Sequence, residues 1–431
     1  MKVQTTLHEE AREKLEQVGK ADILVGIPSY NNEKTIGQVV RAVQCGLAKY
    51  FPNQKALIMN SDGGSTDRTR EIVKQTSVYT DLDTILVEHP VHPARSVAAP
   101  YYGLPGKGSA FKAIFEMAYE LNASACVVVD SDLRSITPEW IQLLAGPIII
   151  KGYDYVAPYY ARHKYDGTIT NSIVYPLTRA LYGKRIRQPI GGDFGFSGRM
   201  VENFLSKNVW GTDVARYGID IWMTTIAINE GFKICQSFLG AKIHDAKDPS
   251  FSLGPMFKQV VGTLFYLMTQ YENNWRAIKG SHSTSLYGFR CEVFPEPVIV
   301  KLDSMIEKFK AGVKENRDYW QSFLPRENAE RIEEIASLPG EKFNFPVDLW
   351  VKLVYDFAVA YRNNAKSNDS LPQNANEKLL NSLVPLYFAR TASFVIETRR
   401  MPTYQAEEVI EKLCNEFEKM KPYLIKRWFK E

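Results

Sequence analysis

After a charged stretch over residues 1–20 with helical character, short apolar runs alternate with longer segments of helical spacing. Residues 23–28 read ILVGIP, 55–60 read KALIMN, 84–87 read TILV and 127–129 read VVV. Apolar, β-branched runs without a polar face predict strands buried on both sides. Between them, residues 35–47, 68–76 and 109–121 carry apolar positions at helical spacing and predict helices. Asp62-Gly63-Gly64-Ser65-Thr66-Asp67 holds a tight glycine turn and then a Ser-Thr-Asp helix start. The alternation of strand and helix predicts an α/β domain with a mostly parallel sheet and helices on both faces.

Past residue 250 the period changes. Residues 254–271 form one long apolar segment, and 280–297 carry Ser, Gly and Pro and read as a linker. Residues 298–309, 346–361, 377–398 and 405–428 repeat apolar positions every three or four residues and predict helices, with a connection over 363–376. In the last of these, Val409, Leu413, Phe417, Met420 and Leu424 fall on one stripe. Such a stripe serves either as the seam of a homodimer or as a packing face on its own domain, and the second use is favoured. The expected organisation is an N-terminal helical extension over 1–20, a catalytic domain over 21–279 and an all-helical domain over 280–431.

The 431 residues exceed one ordinary core, and 45% hydrophobic with 24% charged residues is a common globular balance. A net charge of +4 gives no case for nucleic acid and suits anionic substrates mildly. Five scattered cysteines without metal-ligand spacing predict reduced thiols and a cytoplasmic location. Residues 1–20 lack the pattern of a signal peptide, and no uninterrupted apolar run reaches about 18 residues, so no membrane span is expected.

The chemistry concentrates at Asp130-Ser131-Asp132, directly after the valine run. The carboxyl end of a strand in an open α/β sheet is where ligands bind. Two carboxylates so close repel unless a cation joins them, and a divalent metal carrying a diphosphate would satisfy both. Lys107 lies between two glycines ahead of a helix, a pattern that suits a phosphate.

Pro28-Ser29-Tyr30-Asn31-Asn32-Glu33, Asp62-Gly63-Gly64-Ser65-Thr66-Asp67 and Asp130-Ser131-Asp132 occur in an order and at a spacing that resembles the nucleotide-sugar-dependent glycosyltransferases of the GT-A fold. Pro105-Gly106-Lys107-Gly108, Gln188-Pro189-Ile190-Gly191-Gly192-Asp193, Tyr217-Gly218-Ile219-Asp220 and a late His244 narrow the resemblance. They look like the retaining enzymes that glycosylate glycerate or 3-phosphoglycerate: the glucosyl-3-phosphoglycerate, glucosylglycerate and mannosylglycerate synthases. The likeness covers residues 20–260 and leaves the C-terminal third without a motif.

The resemblance implies a role for each residue. Pro28, Ser29 and Tyr30 wall the base and ribose, Asn32 lines the nucleotide site, and Asp62 bonds the base. Lys107 faces the diphosphate. Asp130, with Ser131 beside it, is expected at the ribose or at waters of the metal. Asp132 and His244 are the expected ligands of Mg²⁺ or Mn²⁺, while His89, His92, His163 and His282 read as structural. Gly191 and Gly192 let backbone approach the sugar or acceptor, and Asp193 binds sugar hydroxyls. Asp220 is the carboxylate near the anomeric carbon, not a nucleophile, in a front-face mechanism. Asn32 stands where many relatives have Glu and Gly63 where some have Ser, which leaves UDP- and GDP-linked donors open.

Thr168, Thr170 and Asn171 fall in the expected acceptor loop over 165–171. Phosphoglycerate-using relatives carry an arginine where Thr168 stands. Arginine is the natural partner of a phosphate dianion, so its absence favours D-glycerate. Arg162, His163 or Lys164 could supply the charge instead, which keeps 3-phosphoglycerate as the alternative. The expected reaction moves glucose from a nucleotide sugar to D-glycerate, making glucosylglycerate, a compatible solute, with a mannosyl donor the next alternative. A sugar nucleotidyltransferase would share the α/β form and the acidic site. That class opens with a Gly-rich loop and a basic residue after the first strand, and Pro28-Ser29-Tyr30-Asn31-Asn32-Glu33 argues against it.

Overall fold

A computed structural model describes residues 15–77, 84–88, 106–244, 254–290, 295–367 and 372–430. Its centre is an eight-stranded sheet. The strands are β1 (Ile23–Ser29), β2 (Ala56–Asp62), β3 (Thr84–Glu88), β4 (Ala125–Val128), β5 (Tyr155–Ala161), β7 (Phe194–Ser197), β8 (Ile234–Ala241) and β10 (Leu286–Tyr287). Their order is β10-β8-β5-β7-β4-β1-β2-β3. Every pairing is parallel except those of β7, which runs antiparallel to β4 and β5. The short strands β6 (Lys184–Arg185) and β9 (His282–Ser283) pair separately.

All of β1 is buried, as its unbroken apolar run requires. The helix Ile36–Tyr50 buries Ile36, Val39, Val40, Val43 and Leu47 in one cluster with Trp140 and Ile141 of the helix Glu139–Lys151. Each such side chain contributes about 1.5–3 kcal/mol. Register then assembles the site. Ser29 of β1 opposes Asp62 of β2, and Gly26 opposes Val128 of β4. Phe194 of β7 opposes Val128. The antiparallel strand thereby starts where β4 ends, which carries Asp193 to Asp130.

The residues divide into two compact units, at other boundaries than a single cut at 280. One holds the described residues up to Arg162 with those in Arg187–Asp245 and Thr284–Glu296. The expected linker is therefore in part sheet: β10 pairs with β8. The other unit takes His163–Ile186, the described residues of Ala246–Ser283, and Pro297–Glu431. It contains the helices Tyr175–Tyr182, Gly254–Gln270, Leu302–Gln321, Arg326–Ser337, Val347–Ser367, Pro372–Thr398, Thr403–Lys419 and Lys421–Phe429. Arg179 fixes the early segment to this unit, its buried guanidinium bonded to Glu411, Asn415 and Glu418. The helix expected over 405–428 is two helices, because Pro422 cannot continue the first and starts the second. Val409, Leu413, Phe417 and Leu424 of the apolar stripe are buried within this unit. Among the described residues, one helical stretch, Asn376–Thr398, is long and apolar enough to cross a membrane, and 78% of its most apolar window is buried.

Candidate functional site

The loops after β1 and β2 lock together through short polar side chains. Asn31 takes a left-handed conformation, φ 53°, which asparagine tolerates. Its Oδ1 accepts from Thr66 N–H at 2.9 Å, and its own N–H donates to Ser65 Oγ at 2.9 Å. Asp62 accepts from Ser29 Oγ–H (3.0 Å), Ser65 Oγ–H (2.6 Å), Ser65 N–H (2.8 Å) and Gly64 N–H (3.1 Å). Asp62 and Ser29 are wholly buried, and Pro28 is buried within β1. In this structure the oxygens of Asp62, the residue expected to bond a base, hold the loop. Tyr30 and Asn32 remain half-exposed. Asn32 Oδ1 accepts from Tyr30 N–H at 2.9 Å and from Ser131 Oγ–H at 2.8 Å, tying this loop to the acidic one.

Behind the acidic loop lies a buried charge network. Asp130 Oδ1 meets Lys107 Nζ at 3.1 Å, and Oδ2 meets Lys242 Nζ at 2.7 Å. Lys242 Nζ also reaches Asp193 Oδ2 at 2.8 Å and the Gly191 carbonyl at 2.8 Å. Lys107 Nζ lies 3.5 Å from Asp220 Oδ1. Asp193 is wholly inaccessible. It accepts from Asp130 N–H at 2.8 Å and from the Tyr160 hydroxyl. Burial pulls the Asp130 carboxyl upward, but Lys107 and Lys242 outweigh it and hold the group well below the usual range. Burial pulls the Lys107 ammonium down, and Asp130, then Asp220, more than offset that. Asp220, at the head of the helix Ile219–Asn229, is pushed up by burial against the pull of Lys107.

Three expected contacts to the donor involve groups that the protein itself engages in this structure. Lys107 was expected at a diphosphate, yet its ammonium sits between two carboxylates. Asp193 was expected at sugar hydroxyls, yet its oxygens are enclosed. The glycine pair was expected to admit a ligand, yet its free space goes to the protein: a Cβ on Gly191 would lie 2.2 Å from Pro158, and one on Gly192, at φ +90°, would lie 2.1 Å from Asp130 Oδ2. Gly192→Ala should therefore cost at least about 1–3 kcal/mol of stability, read by denaturant unfolding. An unchanged midpoint would contradict this packing. Gly108 is needed for a similar reason, since a Cβ there would lie 1.8 Å from the Val214 carbonyl. That contact brings the segment ahead of Asp220 against Lys107.

Asp132 stands apart. It is half-buried and makes no hydrogen bond among the described residues. Ile243 O accepts from Arg134 N–H at 2.8 Å, and Ile243 N–H donates to Ser135 Oγ at 2.9 Å. The chain following β8 thus runs beside the acidic loop, and His244 comes next. His244 Nε2 faces Arg162 at 3.3 Å; because arginine only donates, that nitrogen presents a lone pair. A carboxylate without a protein donor and an imidazole lone pair fit a divalent cation, with Arg162 as the competitor for the histidine. Among the described residues no group of three or more His, Cys, Asp or Glu forms a ligand cluster. Asp132 and His244 would be the residues that hold such an ion.

The expected acceptor loop belongs to the helical unit. Thr168, Thr170 and Asn171 are buried, the last two in a π-helical turn, Thr170–Val174. The Thr168 hydroxyl pairs with Tyr387 Oη at 2.6 Å. Lys164 caps a helix end, donating to the Thr398 and Met401 carbonyls at 2.8 and 2.5 Å. Sequence reasoning missed Lys242 and Tyr160. The available signal was one lysine, Lys242, directly after the apolar end of β8.

A sequence model of the mannosylglycerate synthase GT domain matches residues 27–252. A glucosyl-3-phosphoglycerate synthase of Petrotoga mobilis is 26% identical over 276 residues, covering 60% of this chain and 77% of that protein. Among solved structures, glucosyl-3-phosphoglycerate synthase of Mycobacterium tuberculosis in complex with Mn²⁺, UDP and glucosyl-3-phosphoglycerate is 23% identical, with a TM-score of 0.44 over 62% of this chain and 87% of that one. The same enzyme with Mg²⁺ and UDP gives 23% and 0.43, over 59% and 82%. The family match takes in more than half of the chain, from within β1 to beyond His244, and the chain belongs to the mannosylglycerate synthase family of glycosyltransferase domains.

Proposed function

We propose that this glycosyltransferase moves a glucosyl group from UDP- or GDP-glucose to D-glycerate with retention at the anomeric carbon, in the cytoplasm. The bond from that carbon to the diphosphate breaks, and a bond to an acceptor hydroxyl oxygen forms on the same face. The acceptor proton passes to the departing phosphate oxygen. Asp132 and His244 would hold Mg²⁺ or Mn²⁺, which when bound offsets the charge growing on the diphosphate. Tyr30, Asn32 and the neighbouring backbone would line the nucleotide. Asp220 Oδ1, buried, 3.5 Å from Lys107 Nζ and without a hydrogen-bond partner among the described residues, would accept from a sugar hydroxyl.

The observation that carries the acceptor reading is the commitment of Lys164. Its ammonium is spent on two backbone carbonyls, and Thr168 offers only a hydroxyl, already paired. A phosphate dianion at this loop would keep a desolvation cost that glycerate avoids. The Petrotoga relative is named for the phosphorylated acceptor, and this favours 3-phosphoglycerate as the second reading, with Arg162 as its cation. Steady-state kinetics with both acceptors should give the higher kcat/KM for D-glycerate. A clear preference for 3-phosphoglycerate would reverse the assignment. The wild-type ratio is decisive, because Thr168→Arg must also displace the buried contact with Tyr387.

A further inference from the structure

Lys242 follows the last residue of β8, between Ala241 and Ile243, and its side chain is 3% exposed. An ammonium has three N–H donors, and here each has an acceptor: Asp130 Oδ2 at 2.7 Å, the Gly191 carbonyl at 2.8 Å and Asp193 Oδ2 at 2.8 Å. The acceptors come from the exit of β4, the loop ahead of β7 and the residue before β7. The left-handed Gly192 leaves no room for a side chain beside Asp130. The Tyr160 hydroxyl and Asp130 N–H fix Asp193 from other sides. Lys107 takes the second oxygen of Asp130. One lysine per oxygen sets the direction of the Asp130 carboxylate.

The network joins the carboxylates of Asp130, Asp193 and Asp220 to the ammonium groups of Lys107 and Lys242. Cations do not outnumber anions, so the cluster is a poor seat for a polyanionic diphosphate. It suits hydroxyl donors and the positive charge that develops at an anomeric carbon.

We propose that Lys242 is a positioning residue for the donor sugar. It sets the Asp130 carboxylate against the hexose, with the Gly191 carbonyl and Asp193 as its own anchors, and leaves the nucleoside diphosphate to other residues. This rests on the reading of the chain as a nucleotide-sugar transferase at this site. Calorimetry with UDP, UDP-glucose, GDP and GDP-glucose in Mg²⁺ separates the two portions of the donor, using whichever nucleotide pair the wild type binds. In Lys242→Met, affinity for the diphosphate should stay within about twofold, affinity for the nucleotide sugar should fall by about tenfold, and kcat by about a hundredfold. Lys242→Arg should recover part of the sugar affinity, and Tyr160→Phe should show a smaller loss of the same selectivity. Should Lys242→Met not fold, these two milder variants carry the test. Equal losses for diphosphate and nucleotide sugar, or no loss of the sugar increment in any variant, would overturn the proposal. A wild type that binds no nucleotide sugar would instead refute the transferase reading.

Discussion

Asp132→Ala is expected to remove divalent-cation binding and nearly all turnover while leaving the fold in place. The carboxylate is half-exposed and makes no hydrogen bond among the described residues. Its loss should therefore change stability by no more than about 0.5 kcal/mol. Its loss to catalysis should be at least about a hundredfold in kcat/KM, since charge stabilisation by a bound cation is worth several kcal/mol. Asp130→Ala is the matching control with the opposite signature. Both Asp130 oxygens pair with buried ammonium groups, so its removal takes one carboxylate from each of two buried cations, leaving Asp193 to Lys242 and Asp220 to Lys107, and should cost about 3–5 kcal/mol of stability. Mn²⁺ titration by electron paramagnetic resonance and thermal unfolding of both variants separate the two carboxylates. Wild-type Mn²⁺ affinity in Asp132→Ala, or full turnover of the wild type in excess chelator, would sink the assignment of Asp132 as ligand. His244→Ala should weaken the ion in the same direction.

Asp130 and Asp132 were equally visible in the sequence, two acids closing a valine run, and only burial tells them apart. A motif shows that a residue type is needed at a position. Whether the residue faces a ligand or holds a loop depends on segments far away in the chain. Asp62 is the plainest case: its carboxylate accepts from Ser29 and Ser65 and ties two loops together in this structure. Strands β1, β2 and β4 were legible because unbroken apolar runs have few other uses. The placement of β7 was not, because insertion of an antiparallel strand between β4 and β5 leaves no local pattern. Strand β10 spans two residues, too short for any periodicity, and its surrounding Ser, Gly and Pro read as linker. The break at Pro422 was legible in principle, since proline inside a helical pattern ends it. Lys242 gave a weak signal because a single lysine at a strand end is as often a solvated terminus as a buried hub.

Lys107→Met is expected to unfold the α/β unit more readily, and this separates two roles for the lysine. If Lys107 reached out to a diphosphate, its removal would leave stability unchanged and cost about 1.5–3 kcal/mol of diphosphate affinity. In the structure the ammonium is buried between Asp130 at 3.1 Å and Asp220 at 3.5 Å. Methionine fills the volume without the charge, removes the ion pair of Asp220 and takes one of the two cations from Asp130, a loss of about 3–5 kcal/mol of stability near neutral pH. The sign of its pH dependence follows from linkage. The Lys107 pKa is raised above its ordinary value of 10.5, so its contribution is complete below that value and is lost only as pH rises beyond it. The Asp130 pKa is lowered from 3.8, so its contribution is present above that value and is lost as pH falls below it. The wild type therefore keeps both contributions at about pH 8 and at about pH 5. In the variant Asp220, left without its ion pair, is free to take up a proton in the folded state, which relieves the penalty as the solution is acidified. The gap in unfolding free energy between wild type and Lys107→Met should accordingly be wider at about pH 8 than at about pH 5. Denaturant titrations at the two pH values measure it. A variant as stable as the wild type at both would return Lys107 to the diphosphate.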